Sequence, residues 1–498
     1  MLIQYNTLFL FVVSGSLLAG SCTKKLNTNS NDPNGTPSSQ LKGKDFFAGA
    51  LVEDVNNKAG VNLYNAADNY DYANEWMQYF SRNNGWASSG SQQEVEDFQP
   101  NNNFSDGIWG SLYHNIYDFN FVIGNSSSGS ILPGAARVMR VMLFQDLVDQ
   151  FGNIPYSQAE QPLLTLTPAY DDAGTIYKDL ILQLDTALTE IAASQPSGDD
   201  SADVMFGGNK TLWQQFANTV KLRILLRQVP NGDQTYVAAE IAKIEQQGSG
   251  FLTVDALVQP GFSSLPTKQN PFWNDYGPGS QNNNSFCASQ VMIDFLDSTG
   301  DPRVGYYYAK SGAGGIGGEP LGNNTFNVAS NTSSFGPALL KSPAQPGVIM
   351  LAATSLFMQA EAVQRGLLSA GSAAALYQQG VEASFNFLGV TNAVAAADGY
   401  MAGTTNGLVN FASSANKLQT ILYQKWIAEC VTDGLEAYCD YRRTGYPFIA
   451  QPSQGAPGAP IPQRLLYPET EYTQNPTNVN AQNQTSADIY TPIFWAQP

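Results

Sequence analysis

The stretch Ala136–Tyr156, ARVMRVMLFQDLVDQFGNIPY, decides the fold of this 498-residue chain. Val138, Val141, Met142, Phe144, Val148 and Phe151 recur at the three- and four-residue spacing of an amphipathic helix. Arg137, Arg140, Asp146 and Asp149 fall mostly between them and are expected on the wetter side. Gly152 follows the last apolar residue, where a residue without Cβ adopts a left-handed C-cap cheaply, and Pro155 forbids continuation. By periodicity alone this is one packed helix of an α-helical domain.

The same pattern extends on both sides. Residues 67–80 end in EWMQYF, and Trp109–Ile123 (WGSLYHNIYDFNFVI) reads as a helix directly before the central one. Asp171 or Asp172 N-caps the next, with Ile176, Leu180, Leu184, Ala187, Leu188 and Ile191 as its apolar stripe. LWQQFANTVKLRILLR carries Leu212, Phe216, Val220 and Ile224 on one face; Lys221, Arg223 and Arg227 complement its negative C-terminal end. From about 250 to 345, Gly, Pro, Asn, Ser and aromatics replace periodic helices, apart from a short turn in CASQVMIDFL. Helices resume at 348–365, 372–385 and 418–438, and PFIAQPSQGAPGAPIP ends regular structure. Paired helices around an irregular insertion suggest a helical-repeat scaffold.

Composition narrows the function. Charged residues make up 13% of the chain and the formal net charge is −18. Such a field repels a phosphate backbone, so no nucleic-acid partner is expected. A surface filled instead by Asn, Gln, Ser, Thr and Gly suits neutral, hydroxyl-rich ligands. The single histidine, His114, sits in a helical pattern among aromatics and is expected to be packed, which removes most histidine-dependent chemistries.

Leu8–Ala19 is too short to span a bilayer but matches the apolar region of a signal peptide. Gly20, Ser21 and Cys22 follow, as at a lipoprotein cleavage site, with Cys22 becoming the acylated N-terminus; an ordinary secretory signal is the alternative. Thr23–Gln40 is a polar tether. Of the other cysteines, Cys430 and Cys439 form a bridge or, with Cys287, remain buried free thiols.

The ordered set of segments resembles the SusD/RagB-like outer-membrane lipoproteins of Bacteroidetes. Trp109–Asn120 is similar to the family's W-x-x-x-Y-x-x-I-x-x-x-N helix, and Arg140–Tyr156 to its arginine helix ending in F-G-x-I-P-Y. LWQQFANTVKLRILLR, NPFWNDY, FLDSTGDPR, MQAEAVQRG, QKWIAECVTDGLEAYCDYRRTGYP and PIPQRLLYPETEYTQN follow in the family's order. The resemblance implies a mostly α, TPR-like helical-repeat superhelix with a loop-rich inserted lobe. Its expected divisions are a signal peptide over 1–21, a tether over 22–40 and a SusD-like domain over 41–498. Within that domain the scaffold covers about 41–250 and 346–450, the ligand lobe about 251–345, and closing loops 451–498. It further implies an outer-membrane, lipid-anchored, cell-surface protein that hands oligosaccharides to a SusC-like TonB-dependent transporter. Lys24-Lys25, where surface-exported relatives often carry acidic residues, leaves the periplasmic leaflet open. Peptide binding of the RagB kind and glycoside hydrolysis are the alternatives.

Other motifs carry less. Gly312, Gly314 and Gly317 satisfy G-x-G-x-x-G, but more loop follows rather than a helix start, so no dinucleotide or other cofactor is expected. Asp146, Asp149, Glu361 and Glu429 read as structural rather than as a glycosidase pair, and no enzyme activity is expected. The positive signal is aromatic rings in loops beside amides, since rings stack on the C–H faces of sugars while amides bind hydroxyls. Asn83, Asn84 and Trp86 lie in SRNNGWASSG, Trp273 and Tyr276 in NPFWNDYGPG, and Tyr306 follows DPR; these are the candidate ligand-binding residues. Trp109, Trp213 and Trp426 fall on helical stripes and are expected in the core.

Overall fold

The structure is a computed structural model that describes residues 40–59, 70–83, 90–159, 165–280, 284–323, 325, 327–448 and 453–497. The expected signal peptide, Cys22, nearly all of the expected tether, and Asn84 and Trp86 lie outside the described residues. Residues 43–498 form one compact unit.

The first half is a run of helices: α1 (Gly43–Ala59), α2 (Asp71–Trp76), α3 (Ser91–Glu96), α4 (Asp106–Asn125), α5 (Leu132–Phe151), α6 (Ala173–Ala193), α7 (Lys210–Gln228) and α8 (Gln234–Gln247). After the irregular region come α12 (Ala352–Gln364), α13 (Ala373–Leu388), α14 (Ala393–Ala402), α15 (Lys417–Ala428) and α16 (Gly434–Thr444). Helices adjacent in sequence pack against each other from α4 through α8 and from α12 through α14, as in stacked α-hairpins. The expected mostly α, TPR-like architecture is what forms.

Local signals act as anticipated. The Asp172 side chain accepts from the Thr175 amide to cap α6, whose six stripe residues are all buried. Gly152 ends α5 at φ 80°, its N–H bonding the Val148 carbonyl. Trp109, Trp213 and Trp426 are core residues. The sequence suggested one helix over 348–365, but Gly347–Met350 is a strand, β6, that pairs with β4 (Ala256–Val258). Residues 418–438 likewise divide into α15 and α16, with Val431 between them at φ 66°, a conformation that stops a helix.

The largest departure concerns charge. Asp146 and Asp149 are on no wet side: both are buried, because α5 is covered nearly all round. Arg223 meets Asp146 at 3.5 Å and Arg227 meets Asp149 at 3.4 Å, while Arg227 also forks onto Glu436. Lys221 meets Asp185 at 2.6 Å and Glu240 at 3.1 Å, so the three cations of α7 pair with neighbouring helices rather than with their own helix end. Lys425 lies between Glu436 and Asp440, and Arg443 donates two bonds of 2.6 Å to Glu361. This network joins α5 and α7 to α12, α15 and α16, so helices distant in sequence share one buried set of ion pairs. Glu429 donates nothing to solvent chemistry either: it is buried, accepts from Thr354 at 3.0 Å and lies 3.7 Å from Lys425. Charges this dry require partners, and here they have them.

His114 is a second correction. Its side chain is 67% exposed and its Nδ1 lies 2.7 Å from Glu53 on α1, because position 114 falls on the outer face of α4. Cys287, Cys430 and Cys439 are buried free thiols.

Candidate ligand-binding surface

The irregular region is fastened to the scaffold by an antiparallel ribbon, β1 (Phe80–Arg82) with β5 (Phe286–Ala288), in the register Ser81 opposite Cys287. The Asn83 amide extends the ladder by donating to Ser285 O at 2.8 Å. Helix α9 (Pro271–Tyr276), capped by the Asn270 side chain, packs on the ribbon. Phe80, Phe286 and Phe335 surround Tyr276 at centroid separations of 6.3, 5.9 and 4.8 Å, and Phe272 meets Phe335 at 4.9 Å. Such edge and tilted contacts make a rigid aromatic knot.

The knot decides what each candidate residue offers. Tyr276 is only 2% exposed, and its hydroxyl donates to Asp71 at 3.1 Å, so it supports the surface from beneath instead of presenting a ring. Burial raises the Asp71 carboxyl to about 7, a shift the Tyr276 and Asn74 hydrogen bonds oppose. Trp273, one turn earlier on α9, is half-buried. Tyr306 is also half-buried and joined to the knot through backbone: its carbonyl accepts from Ala338, two residues after its neighbour Tyr307 accepts from Gly336. Tyr307 and Tyr308 are buried. Asn83 is buried too, donating from Nδ2 to Thr332 Oγ1 at 3.0 Å, so its side chain holds the ribbon end instead of reaching outward. The structure thus gathers Asn83, Trp273, Tyr276 and Tyr306 around one ribbon, while Asn84 and Trp86 continue from its end beyond the described residues.

Around Asn83 lies an amide-rich face that motif reading missed. Arg82 is held by Glu96 at 2.6 Å and reaches the Asn323 carbonyl. Glu319, whose N–H donates to Ala288 O at the ribbon edge, accepts from Asn323 and Asn327 at 2.5 Å each. Asn331 is exposed and bonds Asn327 at 3.2 Å. The signal was present in the sequence as NNTFNVASNT, but spaced asparagines in a loop have no period to detect.

Gly312, Gly314 and Gly317 lie in loop, with no helix start to hold a phosphate. Among the described residues, Glu53, His114 and Asp118 bring three metal-capable atoms within 4.8 Å of one another. The Glu53 hydrogen bond holds the imidazole above its usual range, which favours the ion pair over a neutral ligand nitrogen. No described helix is long and apolar enough to cross a membrane.

These features define a protein of stacked α-hairpins with an aromatic and amide-lined surface on its irregular region. A family described as starch-binding and associating with the outer membrane, SusD-like, matches residues 44–468, and the chain belongs to that family. It is similar in structure to a chitin-binding SusD homologue from Flavobacterium johnsoniae, with a TM-score of 0.74 and 23% identity over 90% of this chain and 98% of the other. A SusD/RagB family protein from Bacteroides thetaiotaomicron gives 0.74 at 19% identity, covering 92% and 100%. A SusD homologue from Bacteroides uniformis gives 0.69 at 22%, covering 91% and 99%. No curated protein matches the chain by sequence.

Proposed function

We propose that this chain is a lipid-anchored, cell-surface glycan-binding protein that captures oligosaccharides and passes them to a SusC-like TonB-dependent transporter, without cleaving them. Cys22 carries the anchor, and Trp86 with Asn84, supported by Trp273, forms the platform. The observation that carries the reading is the amide-rich face around Asn83 at the end of the β1–β5 ribbon, in a chain of this family. Amides satisfy sugar hydroxyls in both donor and acceptor senses, and an indole covers the C–H face of the ring. Asp146, Asp149, Glu361 and Glu429, read from the sequence as structural carboxylates, are buried among helices, so none of these four is offered to a ligand.

Affinity electrophoresis through gels containing starch, glycol chitin and a plant polysaccharide panel tests the proposal. A glycan is expected to retard the wild type, and Trp86→Ala to abolish that retardation, since a stacked ring contributes about 1 kcal/mol and a shallow site has few other contacts. Trp273→Ala is expected to weaken it. Retention by peptides alone, or release of shortened sugars, would overturn the proposal.

A further inference from the structure

A cavity of about 250 Å³ opens where α1, α13 and the 431–432 turn meet residues 255–272 and 338–348. Val55, Leu257, Phe272, Val348, Phe387 and Val431 give it a mostly apolar wall. That volume lies between the ~150 Å³ that holds benzene and the ~300–1,000 Å³ of drug-sized pockets. It suits one small ring or branched chain with a short polar head.

Two opposite charges stand in this wall without pairing with each other. Lys341 donates to the Phe387 carbonyl at 2.8 Å and lies 4.4 Å from the centre of the Phe387 ring, leaving further N–H donors. Asp255 accepts from the Ala352 amide at 2.8 Å through one oxygen, leaving the second unoccupied. Burial depresses the Lys341 ammonium and raises the Asp255 carboxyl, each against the pull of the other, while Lys341 keeps part of its surface exposed and Asp255 is half-buried. Two further features mark the wall. Val431 sits at φ 66°, a strained choice for a β-branched residue, and the neighbouring Thr432 hydroxyl has no hydrogen-bond partner among the described residues.

We infer that this cavity binds a free apolar α-amino acid, its side chain against Phe272 and Phe387, its carboxylate on Lys341 and its ammonium on Asp255. A plain hydrocarbon would fill the wall but use neither charge. A monosaccharide would find Asn386 and Thr432 but set its remaining hydroxyls against Val55, Leu257 and Val348. A ligand with both charges beside one apolar group matches Lys341, Asp255 and the apolar wall together. The site is separate from the proposed glycan platform: among the candidate residues of that platform, none lines it.

Isothermal titration of the mature protein with L-phenylalanine and L-leucine tests the inference. Saturable binding is expected, with N-acetyl-L-phenylalanine and L-phenylalaninamide each weakened about tenfold or more, since each lacks one charge. Lys341→Gln and Asp255→Asn are expected to weaken L-phenylalanine by about the same factor while leaving glycan retardation and melting temperature unchanged. Absence of saturable heat at 10 mM, blocked derivatives that bind as tightly as L-phenylalanine itself, or full affinity in both variants would overturn the inference. Glycan retardation in the same preparations is scored independently, so each proposal fails on its own readout.

Discussion

Replacing Glu361 by glutamine tests whether the buried ion network holds the helix stack together. Glu361 on α12 receives both Nη groups of Arg443 from α16 at 2.6 Å and Nε of Arg365 at 2.8 Å, and the Glu361 and Arg443 side chains are fully buried. Arg443 holds the Glu361 carboxyl down to about 2, against burial that would raise it. The drop from 4.5 converts, at about 1.4 kcal/mol per pH unit, to roughly 3 kcal/mol of interaction between fold and charge. Removing one partner of a buried pair costs ~3–5 kcal/mol by independent experience, because the other charge is left dry. Unfolding entropy of ~2.1 cal/mol/K per residue, over the roughly 450 residues of the compact unit, is about 1 kcal/mol/K, so each kcal/mol shifts Tm by ~1 °C. Scanning calorimetry at neutral pH is therefore expected to show Glu361→Gln melting ~3–5 °C below wild type. The double replacement Glu361→Leu with Arg443→Met removes both charges and is expected to recover at least half of the loss. A shift under 1 °C for the single variant, or a double variant worse than the single, would refute the reasoning.

Two further outcomes follow from the same charges. Stability is expected to peak near pH 4–5: Glu361 contributes fully above its unfolded value and loses that contribution as pH falls through about 2, whereas Asp71 and Asp146, raised by burial to about 7, and Asp54, to about 6, favour folding below their unfolded values and lose it as pH rises through those points. Calorimetry from pH 2 to 9 checks this, and Asp71→Asn should flatten only the upper limb; a Tm rising steadily from pH 5 to 8 would contradict it. The lone imidazole gives one resonance by NMR, expected to titrate above the usual histidine range because Glu53 accepts from it, and Glu53→Gln should bring it down; an unchanged midpoint would remove that pairing.

The sequence made the architecture readable because helix periodicity, caps and stops are local. The α6 stripe and its Asp172 cap, the Gly152 stop of α5, and the core positions of Trp109, Trp213 and Trp426 all depend on residues within a few turns. What escaped was long-range. Asp146 and Asp149 look like wet-face residues until α7 brings Arg223 and Arg227 against them. Tyr276 looks like a loop aromatic until Phe80, Phe286 and Phe335, from three separate segments, close over it. β6 was read as helix because GVIM continues the apolar run of α12, and only pairing with β4 distinguishes the two. His114 was misjudged for the opposite reason: aromatic neighbours in sequence occupy other faces of the same helix.

Where the charges went bears on what the remaining surface can recognise. Lys58, Lys221, Arg223, Arg227, Arg303, Lys425, Arg442 and Arg443 are all buried, a large share of the 24 basic residues in the chain. Most pair with carboxylates inside the stack; Arg442 instead donates to backbone carbonyls and lies over Tyr438 and Trp495. The cost of desolvating those charges is met within the scaffold, and the outside is left with few cations and an excess of negative charge. On such a surface the face beside Asn83 carries Asn323, Asn327 and Asn331 rather than lysines or arginines. Amides and rings hold an uncharged ligand through short-range contacts that salt does not screen, whereas a polyanion would meet repulsion at every approach. The same division of residues therefore stabilises the hairpin stack and supports the proposal that the ribbon end takes neutral, hydroxyl-rich ligands.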